Sequence, residues 1–391
     1  MAAVEDGPAA GSGPEPVGKG SHVYLIDGSG YIFRAFHALP PLTRPSDGLP
    51  VGAVHGFCQM LWKLLQDAKG KEGPTHIAVV FDTSRETFRS GIYEAYKANR
   101  PPPPEELVPQ FPLIRDAVRA FNVAMVEQDG YEADDLIATY ARQTVEAGGD
   151  VTIVSSDKDL MQLVGPRVAM LDTMKNRRIG RDEVIEKFGV PPEKVVDVQS
   201  LAGDSVDNVP GVPGIGVKTA AELITQYGDL DTLLAKAGEI KQPKRRERLI
   251  EFAEQARVSR DLVRLKDDVP DPAPLAGAAV RAPAPEPLIA FLRKMEFNSL
   301  TRRLAEALGV EAPADLERSV GSTVAGRASG PPVARGGRPM SAAAADERPS
   351  APAEPSTPSA GVAAGRLAAT GPAIDRKAYA TVRSRAELEA W

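Results

Sequence analysis

The run His22-Val-Tyr-Leu-Ile-Asp27 has an apolar, β-branched middle and ends in a carboxylate. Such a run is typical of a strand that is buried on both faces of a parallel sheet. Four further runs have the same character, and they lie at residues 76–81, 123–126, 151–155 and 168–171. Longer stretches with apolar residues at helical spacing, such as residues 54–68 and 136–145, separate most of them. This alternation predicts an α/β fold with a mostly parallel central sheet flanked by helices.

Composition divides the 391 residues into segments, of which the long central one has enough apolar residues for a sizeable core. Residues 309–373 are rich in Ala, Pro and Gly and contain no aromatic residue, which predicts a disordered linker. Residues 1–20 are Gly/Pro/Ala-rich and are expected to be disordered as well. We expect an α/β domain at residues 21–195 and a helical subdomain at residues 196–308. Residues 374–391 are too short to fold alone.

Cys58 is the only cysteine, so the sequence offers no disulfide and no thiolate metal site. No export signal or membrane-spanning run is present, and we therefore expect a cytoplasmic protein without a membrane partner. The net charge of −6 argues weakly against a nucleic-acid partner. However, basic residues are concentrated in two short stretches, at residues 85–100 and 241–248, and such local charge favours contact with phosphates.

Acidic residues follow three of the predicted strands. Asp27 and Asp82 follow the first two, and Asp157 and Asp159 follow the run at residues 151–155. The carboxyl ends of parallel strands share one edge of a sheet, where ligands bind, so these side chains should converge. Carboxylates that lie close together either take up protons or bind hard divalent cations. The sequence therefore predicts a metal site at this edge.

Two further acidic groups extend the pattern. Glu132, Asp134 and Asp135 open a predicted helix after the third strand, while Asp204 and Asp207 lie three residues apart in a turn. Each group alone fits an ordinary helix start or turn. It is the combination of nine acids that indicates metal binding.

Residues 211–216, Gly-Val-Pro-Gly-Ile-Gly, precede another predicted helix. They do not form a nucleotide-binding P-loop, because Val217 separates Gly216 from Lys218. A glycine-rich hairpin between two helices instead suits a helix-hairpin-helix, whose backbone amides grip DNA phosphates without reading sequence. A purely structural helix-turn-helix is the alternative. The candidate DNA-contacting residues are Gly211, Val212, Gly214, Ile215, Gly216, Lys218 and Thr219.

Several short motifs occur together between about residues 23 and 300. They are Leu-Ile-Asp-Gly-Ser-Gly at 25–30, Phe-Asp at 81–82, Phe-Arg at 88–89, Tyr-Lys-Ala-Asn-Arg-Pro-Pro at 96–102, Glu-Ala-Asp-Asp at 132–135, Ser-Asp-Lys-Asp-Leu at 156–160, Gly-Asp-Ser-Val-Asp-Asn-Val-Pro-Gly-Val-Pro-Gly-Ile-Gly at 203–216 and Lys-Thr-Ala at 218–220. With these motifs the chain resembles the 5′-nuclease domain at the N-terminus of bacterial DNA polymerase I, which is related to flap endonucleases.

The resemblance implies a PIN-like nuclease fold and assigns roles to individual residues. It places Tyr96, Lys97 and Arg100 in a helical arch over the active site, with Arg89 nearby, and it implies a K⁺ ion at the hairpin. Residues 374–391 would begin a truncated proofreading-type domain. The implied metal ligands form one group of Asp27, Asp82, Glu132, Asp134 and Asp135 and a second group of Asp157, Asp159, Asp204 and Asp207.

The function so implied is Mg²⁺-dependent hydrolysis of DNA near a free 5′ end, with Mn²⁺ as a substitute and two metal ions at the reacting phosphate. The expected partners are DNA with 5′ flaps, nicks or RNA primers, met in replication and repair, and downstream polymerase domains if the chain continues. We expect a monomer without polymerase or proofreading activity. Two alternatives stay open: a metal-dependent ribonuclease, which has no need of the hairpin, and a non-catalytic binder of branched DNA, which has no need of nine acids.

Overall fold

The computed structural model describes residues 16–70, 73–84 and 86–311. The expected linker and the expected start of a proofreading-type domain lie outside these residues, apart from the first three linker positions, and so does most of the expected disordered N-terminus. No helix in the described ranges is both long enough and apolar enough to cross a membrane.

Six strands form one sheet in the order β3-β2-β1-β4-β5-β6. Strands β1 to β5 are mutually parallel, and β6 pairs antiparallel with β5 at the edge. All five predicted strands are present, and the mostly parallel α/β sheet is confirmed. The strands are β1 His22–Asp27, β2 His76–Val80, β3 Ala124–Val126, β4 Asp150–Val154, β5 Val168–Asp172 and β6 Arg177–Ile179.

Strand β6 was not predicted, because it is short and its first two residues, Arg177 and Arg178, are exposed and charged. It forms only because the chain reverses through a turn in which Asn176 has a φ of 46°. Asparagine tolerates this left-handed conformation better than most residues do.

Thirteen helices occur in the described residues, and the order of elements follows the predicted alternation. The helices are α1 Gly28–Ala38, α2 Gly52–Asp67, α3 Phe88–Ile92, α4 Gln110–Ala120, α5 Ala133–Glu146, α6 Arg181–Phe188, α7 Val195–Ala202, α8 Val217–Tyr227, α9 Leu230–Ala235, α10 Pro243–Glu251, α11 Ala253–Val263, α12 Pro285–Lys294 and α13 Asn298–Leu308.

Both faces of the sheet are covered, as a largely parallel sheet requires. In β2, Ile77 and Val79 belong to a core shared with α1, α2, α4, α12 and α13. Ala78 and Val80 belong to the opposite core, which contains residues of α5 to α11. The strands are thereby held between two apolar layers, and only their carboxyl ends are left to present polar side chains.

The hairpin between α7 and α8 is built as the glycine pattern predicted. Val212 and Ile215 are buried beneath it. Gly211 has a φ of 59°, and a Cβ atom there would lie 2.4 Å from the backbone nitrogen of Gly203, so no larger residue fits. Gly216 is the N-cap of α8, which leaves the first amides of that helix without helical acceptors.

Candidate active site

Asp27 is fixed at the junction of β1 and α1. Its carboxylate accepts hydrogen bonds of 2.8 Å from the amide of Gly30 and of 2.8 Å from Ser155 Oγ at the end of β4. A Cβ atom at Gly30 would lie 2.4 Å from the Asp27 carboxylate, so a larger residue there would displace that carboxylate from its present position. The first strand and the fourth are thus joined at the edge where the acids were expected.

Asp82 connects the end of β2 to the start of α5. Its carboxylate accepts hydrogen bonds from Ser29 Oγ, at 2.6 Å, and from the amide of Ala133, at 2.9 Å. Because Ala133 is the first residue of α5, this contact brings Asp82 close to Glu132 and Asp134. The helix start also provides a favourable field for the carboxylate.

These carboxylates lie close enough together for the charge of one to raise the pKa of another. Burial, together with the charges of Asp157, Asp27, Asp82 and Glu132, raises the pKa of Asp134 well above its usual range. Burial and the nearby charges of Asp157 and Asp82 likewise raise the pKa of Asp27 to about 6, although its hydrogen bonds oppose the shift. Like charges in a partly desolvated site are therefore a cost that protons or cations must relieve.

A second set of acids continues the same surface. Asp159, Asp204 and Asp207 line a narrow cavity with Glu132 and Asp134. Burial and the charge of Asp157 raise the pKa of Asp159 to about 6. In contrast, the pKa of Asp204 is lowered despite burial, because Lys158 pairs with its carboxylate at 2.5 Å. Eight of the nine predicted acids thus meet in one region, which is called the acidic cluster here: Asp27, Asp82, Glu132, Asp134, Asp157, Asp159, Asp204 and Asp207.

Basic and aromatic side chains predicted for the site contact this cluster. Lys97 Nζ lies 2.8 Å from Glu132 Oε1 and 3.7 Å from Asp207 Oδ2, and Arg100 also pairs with Asp207. The hydroxyl of Tyr96 donates a 3.3 Å hydrogen bond to Glu132 Oε2. The predicted cations thus lie directly against two of the acids, Glu132 and Asp207.

The expected helical arch is not helical in the structure. Tyr93, Tyr96, Lys97 and Arg100 lie in a series of turns between α3 and α4. Lys97 has a φ of 54°, which an α-helix does not allow, and the four prolines at residues 101–104 lack the amide hydrogens that a helix needs.

Asp135 and Arg89 differ from their expected roles. Asp135 is fully buried, and its two carboxylate oxygens accept bonds of 2.7 Å from Nη1 and Nη2 of Arg89. Further bonds come from the amides of Glu132 and Lys266. Burial opposes the charge of Arg89, but the bonds to Asp135 raise the pKa of the guanidinium overall. With both carboxylate oxygens bonded in this way, Asp135 is placed to hold Arg89 rather than a metal, and Arg89 itself is only 1% exposed.

The donor set fits a hard divalent cation, since carboxylate oxygens are the preferred ligands of Mg²⁺. Among the described residues, however, no three Asp, Glu, His or Cys side chains are arranged tightly enough to surround one ion. Lys97, Arg100 and Lys158 instead neutralise part of the acidic cluster directly. The positions of the acids thus suit metal binding in charge and chemistry, with side-chain adjustment needed around the ion.

Some contributors to the site have only weak sequence signals. Lys158 is inside the Ser-Asp-Lys-Asp motif, which suggested its position but not its pairing with Asp204. Phe33 and Arg115, which lie far apart in sequence, line a groove of about 1000 Å³ beside Asp82, Lys97 and Arg100. Arg115 also donates a 3.2 Å bond to the carbonyl of Asp82. The packing of α4 against α2, α12 and β3 holds Arg115 there.

Comparison with known proteins adds family and fold. The family model described as "5'-3' exonuclease, N-terminal resolvase-like domain" matches residues 22–189, and the one described as "5'-3' exonuclease, C-terminal SAM fold" matches residues 190–286. The 5'-3' exonuclease of Aquifex aeolicus is 36% identical over 282 residues, which cover 72% of this chain and 94% of that protein.

DNA polymerase I of Rhizobium leguminosarum is 54% identical over 389 residues. The match covers 95% of this chain but only 38% of the length of that polymerase. Among solved structures, T5 5'-exonuclease with bound zinc ions has a TM-score of 0.54 at 21% identity, and the match covers 71% of this chain and 98% of that one. At this identity the structural match shows a shared fold.

The raised pKa of Asp27 predicts a pH-dependent stability. In the folded state its carboxyl binds a proton more tightly than in the unfolded chain, with a pKa of about 6 against 3.8. The stability that this proton contributes is complete below the unfolded value and is lost as the pH rises through about 6. The free energy of unfolding can be measured with urea, in the presence of chelator, at pH values from below 3.8 to above 6. Over this range the wild type should lose about 1 to 3 kcal/mol more of this free energy than Asp27→Asn loses. A difference that is independent of pH would contradict the raised pKa.

Proposed function

Because this chain belongs to the 5'-3' exonuclease family, as its motifs predicted, we propose that it is a structure-specific 5′-nuclease that hydrolyses DNA with divalent metal ions. The observation that carries the proposal is the acidic cluster at the carboxyl edge of the sheet, with Lys97 and Arg100 beside it. A non-catalytic scaffold has no reason to accept the electrostatic cost of eight neighbouring carboxylates.

Two groups of ligands are proposed for the metal. Asp27, Asp82, Glu132 and Asp134 would serve one ion. A second set of four acids would serve the other. It comprises Asp157, Asp159, Asp204 and Asp207. Bound Mg²⁺, or Mn²⁺ in its place, supplies an activated water and stabilises the leaving oxygen of the phosphodiester. Asp135 is left out because its bonds are made to Arg89 and to backbone amides.

The chain's own side chains bind and orient the substrate. Lys97 and Arg100 neutralise the non-bridging oxygens of the phosphate, exchanging their present carboxylate partners for it once metal charge compensates Glu132 and Asp207. Tyr96 keeps Glu132 oriented through its hydroxyl. This arrangement favours phosphodiesters, which carry the charge that the two cations are placed to receive.

The groove beside the cluster suits an unpaired strand. Phe33 is 40% exposed at its rim, and aromatic faces of this kind stack on bases irrespective of sequence. On the hairpin, Lys218 and the first amides of α8 are exposed and suit the phosphates of a duplex. The groove and the hairpin together favour a substrate in which a strand end adjoins a duplex, such as a 5′ flap, a nick or an RNA primer end. A K⁺ ion at the hairpin stays a prediction.

The Rhizobium polymerase that this chain resembles is more than twice as long as the matched part. We propose that polymerase domains accompany this nuclease where the chain continues, and that primer removal and repair are its settings. A cytoplasmic location near the nucleoid and a monomeric state complete it.

A direct test compares a 5′-labelled flapped DNA with an RNA of matched structure, in Mg²⁺ and then in excess chelator. We expect cutting of the flap in Mg²⁺, no cutting in chelator, and product lengths that locate the cut at single-nucleotide resolution. Cleavage of the RNA alone would identify a ribonuclease, and binding without cleavage would identify a non-catalytic binder. Either result would overturn the proposal.

Asp134→Asn should lower the rate of cutting by about 100-fold, because a neutral amide is a poorer ligand for a divalent cation and each lost 1.4 kcal/mol is tenfold in rate. Binding of the flap in Ca²⁺, measured by fluorescence anisotropy, should change little. Asp67→Asn is the matched control, since Asp67 is exposed at the far end of α2 and pairs only with Lys63 in the contacts described. Equal losses in both variants would remove Asp134 from the site.

Lys218→Ala should weaken binding to all duplex sequences alike and reduce the slope of log affinity against log salt by about 1. The measurement is anisotropy with flapped DNA of two unrelated sequences at several salt concentrations. Lys63→Ala, which removes an exposed lysine on α2, should leave the slope unchanged. If Lys218→Ala changes sequence preference instead, the hairpin does not act on the backbone alone.

A further inference from the structure

The last two residues of α11 and the six that follow, residues 262–269 and here called the strap, are bound to the α/β domain through their backbone. Five side chains of that domain make the contacts: Arg89, Asp135, Thr139, Arg142 and Gln162. Side chains that bond successive backbone groups of a loop leave it little freedom to shift along the surface. The strap is therefore held in register and does not simply pack by apolar contact.

The Arg89 and Asp135 ion pair is the centre of this attachment. Arg89 Nε donates to the carbonyl of Leu262 at 2.7 Å, and Nη2 donates to the carbonyl of Arg264 at 3.1 Å. Asp135 Oδ1 accepts from the amide of Lys266 at 2.8 Å. Both charged groups are essentially without solvent contact. The pair thus bonds the backbone of three alternate residues of the strap, Leu262, Arg264 and Lys266.

Gln162 adds bonds between these positions, and Thr139 extends the attachment to Val269. Thr139 Oγ1 accepts from the amide of Val269 at 3.1 Å. Gln162 donates to the carbonyl of Val263 at 2.9 Å and accepts from the amide of Leu265 at 3.1 Å. The strap is consequently held at both ends as well as at its middle.

At its start the strap is continuous with α11, which holds the hairpin. Ser259 Oγ on α11 accepts from the amide of Gly211 at 3.0 Å, and Gln255 Nε2 donates to the carbonyl of the same glycine at 2.7 Å. Gly211 is the first residue of the hairpin proposed to bind the duplex. A displacement of the strap along the domain would therefore carry the hairpin with it.

At its other end the attachment reaches the acidic cluster. Asp135 directly follows Asp134 in the first turn of α5, and its Oδ2 accepts from the amide of Glu132 at 3.1 Å. Arg89 Nη1 is also 3.6 Å from Glu132 Oε2. The ion pair thus lies between the strap and the carboxylates that face the substrate.

We propose that Arg89 and Asp135 are positioning residues that set which phosphodiester is cut, by fixing the distance between the duplex-binding hairpin and the acidic cluster. This inference rests on the proposed function. A buried ion pair contributes little stability compared with apolar side chains of the same size, so its value is better sought in the specific geometry that it imposes. A contiguous chain of contacts can carry coupling of this kind, and hairpin, α11, strap, ion pair and cluster form one.

The test measures the distribution of product lengths from a 5′-labelled flap for wild type, Arg89→Lys and Arg89→Met. Lysine keeps the charge but has only three donors on one nitrogen, so it cannot reproduce the four bonds that Arg89 makes from three nitrogens. We expect wild type to cut at one main position. In both variants, products from neighbouring positions should rise about tenfold relative to the main one, which corresponds to about 1.4 kcal/mol of lost discrimination. Affinity for the flap should stay within about threefold, because the hairpin itself is intact.

Two controls separate positioning from loss of stability or of chemistry. Gln110→Met removes a 2%-exposed polar side chain that accepts bonds from the amides of Ala53 and Val54 on the opposite face of the sheet. It should lower the unfolding temperature without shifting the cut. Asp134→Asn should slow the reaction while leaving the main position unchanged. If Arg89→Met does not fold, Thr139→Val and Gln162→Met loosen the strap one contact at a time and should scatter the products in the same way.

The outcomes are distinguishable. If wild type does not cut flapped DNA in Mg²⁺, the proposed function fails, and the inference fails with it. If wild type cuts at one position and the Arg89, Thr139 and Gln162 variants are slower but cut at that same position, the function stands and the positioning role is wrong. Scattered products in Gln110→Met would also contradict it, because general loosening would then explain the effect.

Discussion

Mutual repulsion among carboxylates at the carboxyl edge of the sheet is the constraint on which the rest of this structure depends. The parallel strands bring Asp27, Asp82 and Asp157 to one edge, and α5 adds Glu132 and Asp134. Removing such groups from water raises their proton affinity, as the elevated pKa values of Asp27 and Asp159 record. The surrounding hydroxyls, backbone amides and cations each reduce part of this cost.

The cations are not interchangeable in this arrangement. Lys97 and Arg100 enter from a turn-rich segment between α3 and α4, whereas Lys158 follows β4 within the motif that supplies Asp157 and Asp159. Arg89 is different, since it is buried against Asp135 and serves the backbone of the strap. One set of cations thus pairs with the acidic cluster, and one buried guanidinium joins the helical half of the chain to the sheet.

The sequence predicted those features that follow from local patterns. Apolar runs gave the five parallel strands, acids directly after them gave the edge of the site, and the glycine spacing gave the hairpin. Strand β6 was missed because Arg177 and Arg178 give no apolar signal. Asp135 was grouped with its neighbour Asp134 because adjacent acids look alike in sequence. Only the fold shows that Arg89, 46 residues away, donates hydrogen bonds to both carboxylate oxygens of Asp135. The arch failed as a helix because positive φ at Lys97 reflects tertiary contacts that no local pattern encodes.

The central claim, that the acidic cluster exists to bind divalent cations, is tested most directly by titrating Mn²⁺ into the protein in calorimetry buffers of different ionisation enthalpy. With Asp27 and Asp159 titrating at about 6, part of the cluster is protonated at that pH, and metal binding must displace those protons. Saturable binding with proton release that is larger near pH 6 than near pH 8 is the predicted result. Saturable binding that releases no proton at either pH, or no binding at all, would contradict the account.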